Sequence, residues 1–473
     1  VDGIVTTQRA RIVSLPRWVL GVLAWLLAGV LGLSPGRAED SERLLVTVGS
    51  VTSTSAVFWA HSEQREPITL TLTSTEAGYP VTRTEASRAP GSDGIVRTPV
   101  RGLAARTRYD YRVSTSTESV VGHFTTAPDA TQREPVRFLW SGDLGGVGHC
   151  RRTEIGYPIF RAMARREPAF FVFVGDTIYA DNRCVGPDIV AGSEHKAETL
   201  AEFHAKHRYN RADPAVQAFF RTVGVYAIWD DHDVRDGFSG SRERLAPIGL
   251  RAFLDYWPIL PPEDDPTRLY RRVRWGGLVE LFILDTRQYR SGACEQDSDA
   301  KTMLGEAQRR WLIDGVARSD AQWKVVVSSV PFSIPKGWPC ADTWAPRRLF
   351  GWTTGFGLER DAILNAFREQ QVGNVVILST DVHYADFVRL PGAAGFTVHE
   401  FTAGPLSANP KRPKRLDEGL AAQRLFATGG VTNFGEIAID QAALTARLFD
   451  AQGRLLAATT IGAGFAGQAT IIE

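Results

Sequence analysis

Four short segments place acidic residues, a tyrosine or a histidine directly behind a run of apolar residues. They are Leu139-Trp140-Ser141-Gly142-Asp143, Phe173-Val174-Gly175-Asp176-Thr177-Ile178-Tyr179-Ala180-Asp181, Ile228-Trp229-Asp230-Asp231-His232-Asp233, and Leu378-Ser379-Thr380-Asp381-Val382-His383. Each alone has a plain structural explanation. A Gly-Asp pair after a strand is usually a turn, Asp230 and Asp233 have the placement of helix-capping carboxylates, and a lone His383 fits a core. Four such endings in one chain are an improbable coincidence. Ligand sites in open α/β sheets lie at the carboxyl ends of strands, so Asp143, Asp176, Tyr179, Asp231, Asp381 and His383 are expected to converge in one cleft. Carboxylates packed that closely raise one another's pKa unless a cation neutralises them. Oxygen-rich donors with one imidazole favour hard or borderline ions such as Fe3+, Ca2+, Mg2+ or Mn2+. Two or more such ions would clamp a phosphoryl group and acidify a bound water.

The elements that must position these residues begin after a polar linker at 129–135. Apolar strands are expected at 136–140, 170–174, 225–229, 280–284, 323–328 and 375–378, with helical spacing at 155–166 and 304–317 between them. Apolar strands alternating with amphipathic helices predict an α/β domain of helix-covered sheets. Residues 435–461 return to hairpin character around Asp450-Ala451-Gln452-Gly453. The stretch 193–209, with His195, His204 and His207, is polar throughout and reads as a solvated helical face or a lid. The aromatic segments 337–344 and 350–352 either wall the cleft or pack in the core. Arg235 and Arg287 match phosphate geometry, and Arg287 fits equally a carboxylate pair holding the local structure.

Residues 44–128 have a different periodicity, with short alternating strands such as 50–61 and 68–73. Further upstream, Arg9, Arg11 and Arg17 precede an apolar run over 18–33, followed by small residues at Gly36 and Ala38. Those are the parts of a secretory signal over 1–38, and a 16-residue run is shorter than the roughly 20 needed to span a bilayer. An uncleaved anchor is the alternative. The whole chain has 473 residues with 54 basic against 53 acidic, and without 1–38 it would carry a net charge of −2. Such balance excludes a protein that lives by gripping nucleic acid. With 44% hydrophobic residues it is neither disordered nor a multi-span membrane protein. Cys150, Cys184, Cys294 and Cys340 form an even set without C-x-x-C, which in an exported chain points to disulfides of open pairing.

The motifs 175–181, 229–233 and 380–383 resemble those of the alkaline phosphatase D (PhoD-like) family of calcineurin-like metallophosphoesterases. Leu284-Asp285-Thr286-Arg287-Gln288-Tyr289-Arg290 and the segment 304–312 (LGEAQRRWL) resemble further family signatures. Likewise, residues 102–113, with a Gly-Leu turn, Thr107 and the pair Tyr109 and Tyr111, resemble a fibronectin type III domain, in which Trp59 would sit between two sheets. Within such a sandwich His61 and His123 are expected as surface or satisfied residues. With the signal segment read at 1–38, the resemblances imply a fibronectin type III-like domain 39–128 and a catalytic domain 129–473. Its implied fold is a four-layer metallophosphoesterase sandwich, two β-sheets flanked by helices.

The resemblance also implies a secreted or periplasmic phosphohydrolase, an alkaline phosphatase or phosphodiesterase with phosphodiesters favoured, acting as a monomer through in-line attack by a metal-bound hydroxide. Asp143, Asp176, Tyr179, Asp231, Asp381 and His383 would hold Fe3+ and Ca2+, with Mn2+ or Zn2+ as alternatives. Catalysis would fall to His232 as leaving-group acid, to Asp176 bridging metals, and to Arg235. Three positions depart from the family: Gly142-Asp143 replaces a Ser-Cys whose Cys ligates iron, Asp233 replaces Glu, and Thr380 replaces Gly. The first leaves Cys150 as an alternative ligand. Arg9-Ala10-Arg11 is not a twin-arginine pair, so the export route stays open. A phospholipase D-like activity, or a cell-surface binding protein with a vestigial metal site, are the competing readings.

Overall fold

Phe170–Val174 and Gly224–Ile228 are buried at every position, as strands covered on both faces must be. They pair in parallel, and Val136–Ser141 pairs in parallel on the far side of Phe170–Val174. These coordinates are a computed structural model that describes residues 44–74, 81–85, 88–91, 93–146, 148–392, 395–464 and 469–472. The segment 1–38, expected as a secretory signal, lies outside the described residues.

A second sheet of seven strands has the parallel core Val279–Ile283, Trp323–Val327, Val375–Ser379 and Thr397–Thr402. Side chains alternate across it with period two. Val325 and Val327 pack into the cluster that holds Phe138 and Val172 of the first sheet, whereas Val326 packs with Leu312 and Ile363 of helices Gly305–Arg318 and Gly357–Glu369. On the outer side of the first sheet lie helices Ile159–Ala164, Pro214–Phe220 and Ala246–Tyr256. The architecture is therefore helix, sheet, sheet, helix, with mixed α/β composition as the strand pattern predicts. Among the described residues no helix is long and apolar enough to cross a membrane.

The N-terminal strands form a small sandwich. Leu44–Gly49, Ser55–Ser62 and Ile95–Arg101 make one layer, and Val81–Thr84, Thr69–Ser74, Arg108–Ser114 and Ser119–Thr125 the other. The first layer continues the catalytic sheet, because Gly49 pairs in parallel with Val225. Residues 42–473 form one compact unit.

Two expectations fail here for identifiable reasons. Trp59 does not lie between the layers of the sandwich. Phe58 does, edge-on to Tyr111 and Phe124 at 5.0 and 5.5 Å. Alternation sends Trp59 to the opposite face, where it packs on Tyr256 and donates its indole N–H to the Asp255 carbonyl at 2.8 Å. His204 and His207 are not on a solvated face either. Helix Leu200–Arg211 is polar in sequence yet buries Phe203, His204, Lys206 and His207, because distant partners satisfy its polar groups. His204 lies between Asp93 and Asp255 at 3.2 and 3.1 Å, and His207 stacks on Tyr256 at 4.9 Å. His61 is likewise buried.

Candidate metal centre and active site

Both parallel cores end at the same cleft, and each proposed ligand sits within a few residues of a strand end. Asp143 follows Val136–Ser141, and Asp176 follows Phe170–Val174, with Tyr179 three residues on. Asp230, Asp231 and His232 follow Gly224–Ile228; Asp381 and His383 follow Val375–Ser379. The chain must turn sharply to aim these side chains inward. Asp143, Asp176, Asp381 and His383 all take left-handed backbone angles, with φ of 62°, 46°, 74° and 60°. Such conformations in non-glycine residues are costly and concentrate at functional sites. Gly175 makes the second turn feasible: its φ is +82°, and a Cβ there would lie 2.6 Å from the Asp230 Cβ. Gly404 leaves room for Asp143, since a Cβ there would meet its Oδ2 at 2.5 Å.

Three groups of ligand atoms result, each within 4.8 Å: Asp143, Asp176 and His383; Asp176, Asp231 and His232; and Asp230, Asp231 and Asp381. Asp176 and Asp231 are shared, so the groups form one continuous centre. Both carboxylate oxygens of Asp143 and one each of Asp176, Asp230 and Asp381 are buried without a hydrogen-bond donor. Buried carboxylate oxygens ordinarily find partners, so these are free for cations. The donor set fits a metal centre built from oxygen and imidazole ligands.

Hydrogen bonding fixes the two imidazoles differently. His383 donates from Nδ1 to the Asn409 carbonyl at 2.8 Å. Burial, reinforced by Lys411 and Lys336, holds its pKa well below the usual histidine value. The ring is therefore neutral, with its Nε2 lone pair facing the Tyr179 hydroxyl at 3.1 Å and Asp143 at 3.8 Å. His232 is the opposite case. Its Nδ1 lies 2.8 Å from Asp181, and its ring stacks on Tyr179 at 4.2 Å. Burial would lower its pKa, but Asp231 and Asp181 outweigh that and raise it to about 9. His232 is thus a protonated acid at neutral pH.

The carboxylates carry the electrostatic load. Burial, then mutual repulsion, pushes Asp143 and Asp176 well above the usual carboxylate range. Asp381 is raised by burial to about 7, with Lys336 opposing the rise. Asp231 is held low, because Arg287 and Lys336 overcome its burial. Arg287 is fully buried, bonds Asp230 at 2.5 Å, and forms ion pairs with Asp342 at 2.9 Å and Asp231 at 3.5 Å. Its guanidinium is closed to solvent and committed to these acids. Asp233 caps the turn as expected, accepting from Thr177 and from the Asp230 amide.

Not every expected residue joins the cluster. Arg235 is exposed on the turn after His232, and its guanidinium pairs with Glu243 at 3.9 Å. Cys150 is bonded to Cys184, and Cys294 to Cys340, so Cys150 is no thiolate ligand. Of the aromatic segments, Trp344 is buried while Trp338, Phe350 and Trp352 are exposed. Lys336, which no sequence motif marks, reaches from the loop after Trp323–Val327 to contact Asp381 directly. Asp181, the orienting partner of His232, was visible only as the last acid of the 175–181 motif.

A profile of the PhoD-like phosphatase family matches residues 146–446. This chain belongs to that family. Alkaline phosphatase D of Bacillus subtilis (strain 168) is 26% identical over 312 residues, covering 60% of this chain and 52% of that protein. The match therefore spans about half the length of that relative. A solved structure of PhoD superposes with a TM-score of 0.73 at 18% identity, covering 93% of this chain and 94% of the other. Purple acid phosphatase PPD1 from yellow lupin (Lupinus luteus) seeds superposes at 0.60 with 12% identity, covering 88% and 74%. Both likenesses place the helix–sheet–sheet–helix fold among PhoD-like and purple acid phosphatase structures.

Proposed function

We propose that the chain is an exported, monomeric, metal-dependent phosphohydrolase acting on phosphate esters, and on phosphodiesters above all. The observation that carries this reading is the set of buried, donorless oxygens of Asp143, Asp176 and Asp381 grouped with His383 and His232. Asp143, Asp176, Tyr179 and His383 would hold one ion, and Asp176, Asp231 and Asp381 a second. Fe3+ beside Tyr179 and Ca2+ among the carboxylates is the proposed pair, with Mn2+ or Zn2+ as the alternatives. Bound metal supplies the Lewis acidity that polarises phosphoryl oxygens and acidifies water.

The residues do the rest. His232 delivers a proton from Nε2 to the departing alkoxide, while Asp181 accepts from Nδ1 and keeps the ring oriented. Lys336 offers a fixed positive charge to the phosphate. Arg235 is the outer contact for substrate. On this reading 39–128 would be the sandwich domain and 129–473 the catalytic domain, and the two disulfides support an oxidising compartment.

Hydrolysis of a chromogenic phosphodiester tests the reading, before and after chelation and with iron and calcium restored. Activity should vanish with chelator and return with metal, and metal analysis of the purified protein separates iron and calcium from manganese and zinc. Asp176→Asn should abolish turnover while leaving the fold intact. An active Asp176→Asn, or a folded protein inactive in every metal state, would overturn the assignment. Release of headgroup alcohol from a phospholipid would narrow it to a phospholipase D-like diesterase.

A further inference from the structure

Beside the metal centre the chain exposes large aromatic rings and unpaired cations together. Hairpin Arg347–Leu349/Trp352–Thr354 turns at Phe350 and Gly351, with φ of 50° and 78°. Phe350 at its tip is fully exposed, Trp352 is 48% exposed, and Trp338 on the neighbouring loop 75%. Fully exposed rings of this size gain nothing from water and mark contact surfaces when they cluster. The hairpin is not loose. The Asp297 amide donates to the Thr353 carbonyl at 2.8 Å, the Ala341 amide donates to the Thr354 hydroxyl at 2.9 Å, and the Cys294–Cys340 disulfide ties down the Trp338 loop.

A basic run completes the rim. Residues 409–416 read Asn-Pro-Lys-Arg-Pro-Lys-Arg-Leu, four cations without an acid in a chain whose total charge is nearly balanced. The run is pinned to the metal centre. The Asn409 carbonyl accepts from His383, the Lys411 amide donates to the His383 carbonyl at 2.8 Å, and the Lys414 amide to the Tyr384 hydroxyl at 3.1 Å. The two parts meet at the metal centre: Lys336, two residues before Trp338, contacts Asp381, and the Arg347 guanidinium lies 5.6 Å from the Trp338 ring. Arg347, Arg348, Lys411, Arg412, Lys414 and Arg415 have no ion-pair partner among the described residues.

We propose that this rim is a docking surface for an anionic phospholipid bilayer, with Trp338, Phe350 and Trp352 entering the headgroup layer and the cations meeting its charge. Cations alone would serve any polyanion. A fully exposed phenylalanine at a rigid tip and two exposed tryptophans fit the apolar boundary of a membrane interface, where such rings partition. Each nearby Lys or Arg adds attraction to anionic lipid that salt screens. The inference does not depend on the hydrolase reading, since docking needs neither metal nor turnover.

Co-sedimentation tests it on the chain without residues 1–38, because residues 42–473 form a compact unit and the apolar run at 18–33 would itself bind lipid. Chelator is present throughout, so the result is separate from catalysis. Phosphatidylglycerol vesicles should bind roughly tenfold or more tighter than phosphatidylcholine vesicles, with loss of binding at high salt. Brominated acyl chains should quench tryptophan fluorescence of the unmodified protein. The pair K411Q/R412Q should weaken binding by about tenfold, and F350S/W338S should remove both binding and quenching at an unchanged melting temperature. Equal binding to both lipids, no quenching, or binding that survives F350S/W338S would overturn the proposal. So would binding to soluble polyphosphate without binding to vesicles, which would make the rim a polyanion site.

Discussion

At the scale of single residues, the centre separates proton supply from cation binding by giving each histidine a different partner. His383 gives its only proton to a carbonyl, which can only accept, so Nε2 is left as a donor of electrons. His232 faces a carboxylate instead, and Asp231 and Asp181 hold its pKa at about 9 against the pull of burial. The alkaline limb of the pH–rate profile should therefore report His232. Asp181→Asn removes a charge-assisted hydrogen bond that favours the protonated ring. That limb should move to lower pH by about one unit or more, with kcat falling and KM little changed. A pH profile of kcat/KM on a diester checks this, and an unmoved limb would assign the proton to another group. Lys336 shows where residue-level reading stops. It lies nine residues beyond strand Trp323–Val327, on a loop without periodicity, so nothing in its spacing announces its contact with Asp381.

At the scale of elements, precision comes from how closely the strands before each ligand are packed. Gly435 stands opposite Trp140 in the strand pair that precedes Asp143, and a Cβ there would lie 2.2 Å from the indole ring. Gly435→Ala should destabilise the fold by about 1–3 kcal/mol through overpacking. It should also weaken metal binding, because Asp143 is three residues past Trp140. Denaturant melts and metal titration of the variant measure the two effects. The elements themselves were largely legible. Five consecutive apolar residues before Gly175 give strand Phe170–Val174 at its observed bounds. The acids behind four such runs could be placed because strand ends in an α/β sheet share one edge. What alternation could not supply is which face meets which neighbour. Trp59 reads as core, and only the approach of helix Ala246–Tyr256 assigns it outward from the sandwich. Helix Leu200–Arg211 misled for the same reason: Asp93 and Asp255, its partners, are remote in sequence.

At the scale of the whole molecule, those partners join the sandwich to the helices behind the catalytic sheet. Asp93, from the sandwich, accepts from Arg208 at 2.5 Å and from the Tyr256 hydroxyl at 2.6 Å. His204 is wedged between Asp93 and Asp255, and Arg251 bonds Asp255 at 2.9 Å. Burial would lower the His204 pKa, but the two carboxylates outweigh it and raise the ring above the usual histidine value. His61 lies in the same region, and burial, with Arg208 adding to it, lowers its pKa to about 4. The two histidines bind protons with opposite consequences for stability. A group with a raised folded pKa stabilises fully below its unfolded value of about 6.5, and that contribution is lost as pH rises through the folded value. A group with a lowered pKa, such as His61, stabilises fully above about 6.5 and loses its contribution as pH falls toward its folded value. The His204 contribution is therefore lost on the alkaline side of neutrality and the His61 contribution on the acid side. His204→Gln keeps a neutral hydrogen-bonding side chain but cannot carry the charge. It should lower Tm at pH 6 and flatten the alkaline decline while leaving the His61 decline on the acid side. Calorimetric melts of parent and variant from pH 4 to 9 in chelator isolate the His204 contribution as the difference between the two proteins. Parallel alkaline slopes in the two proteins would show that His204 does not hold the sandwich to the catalytic layers by its charge.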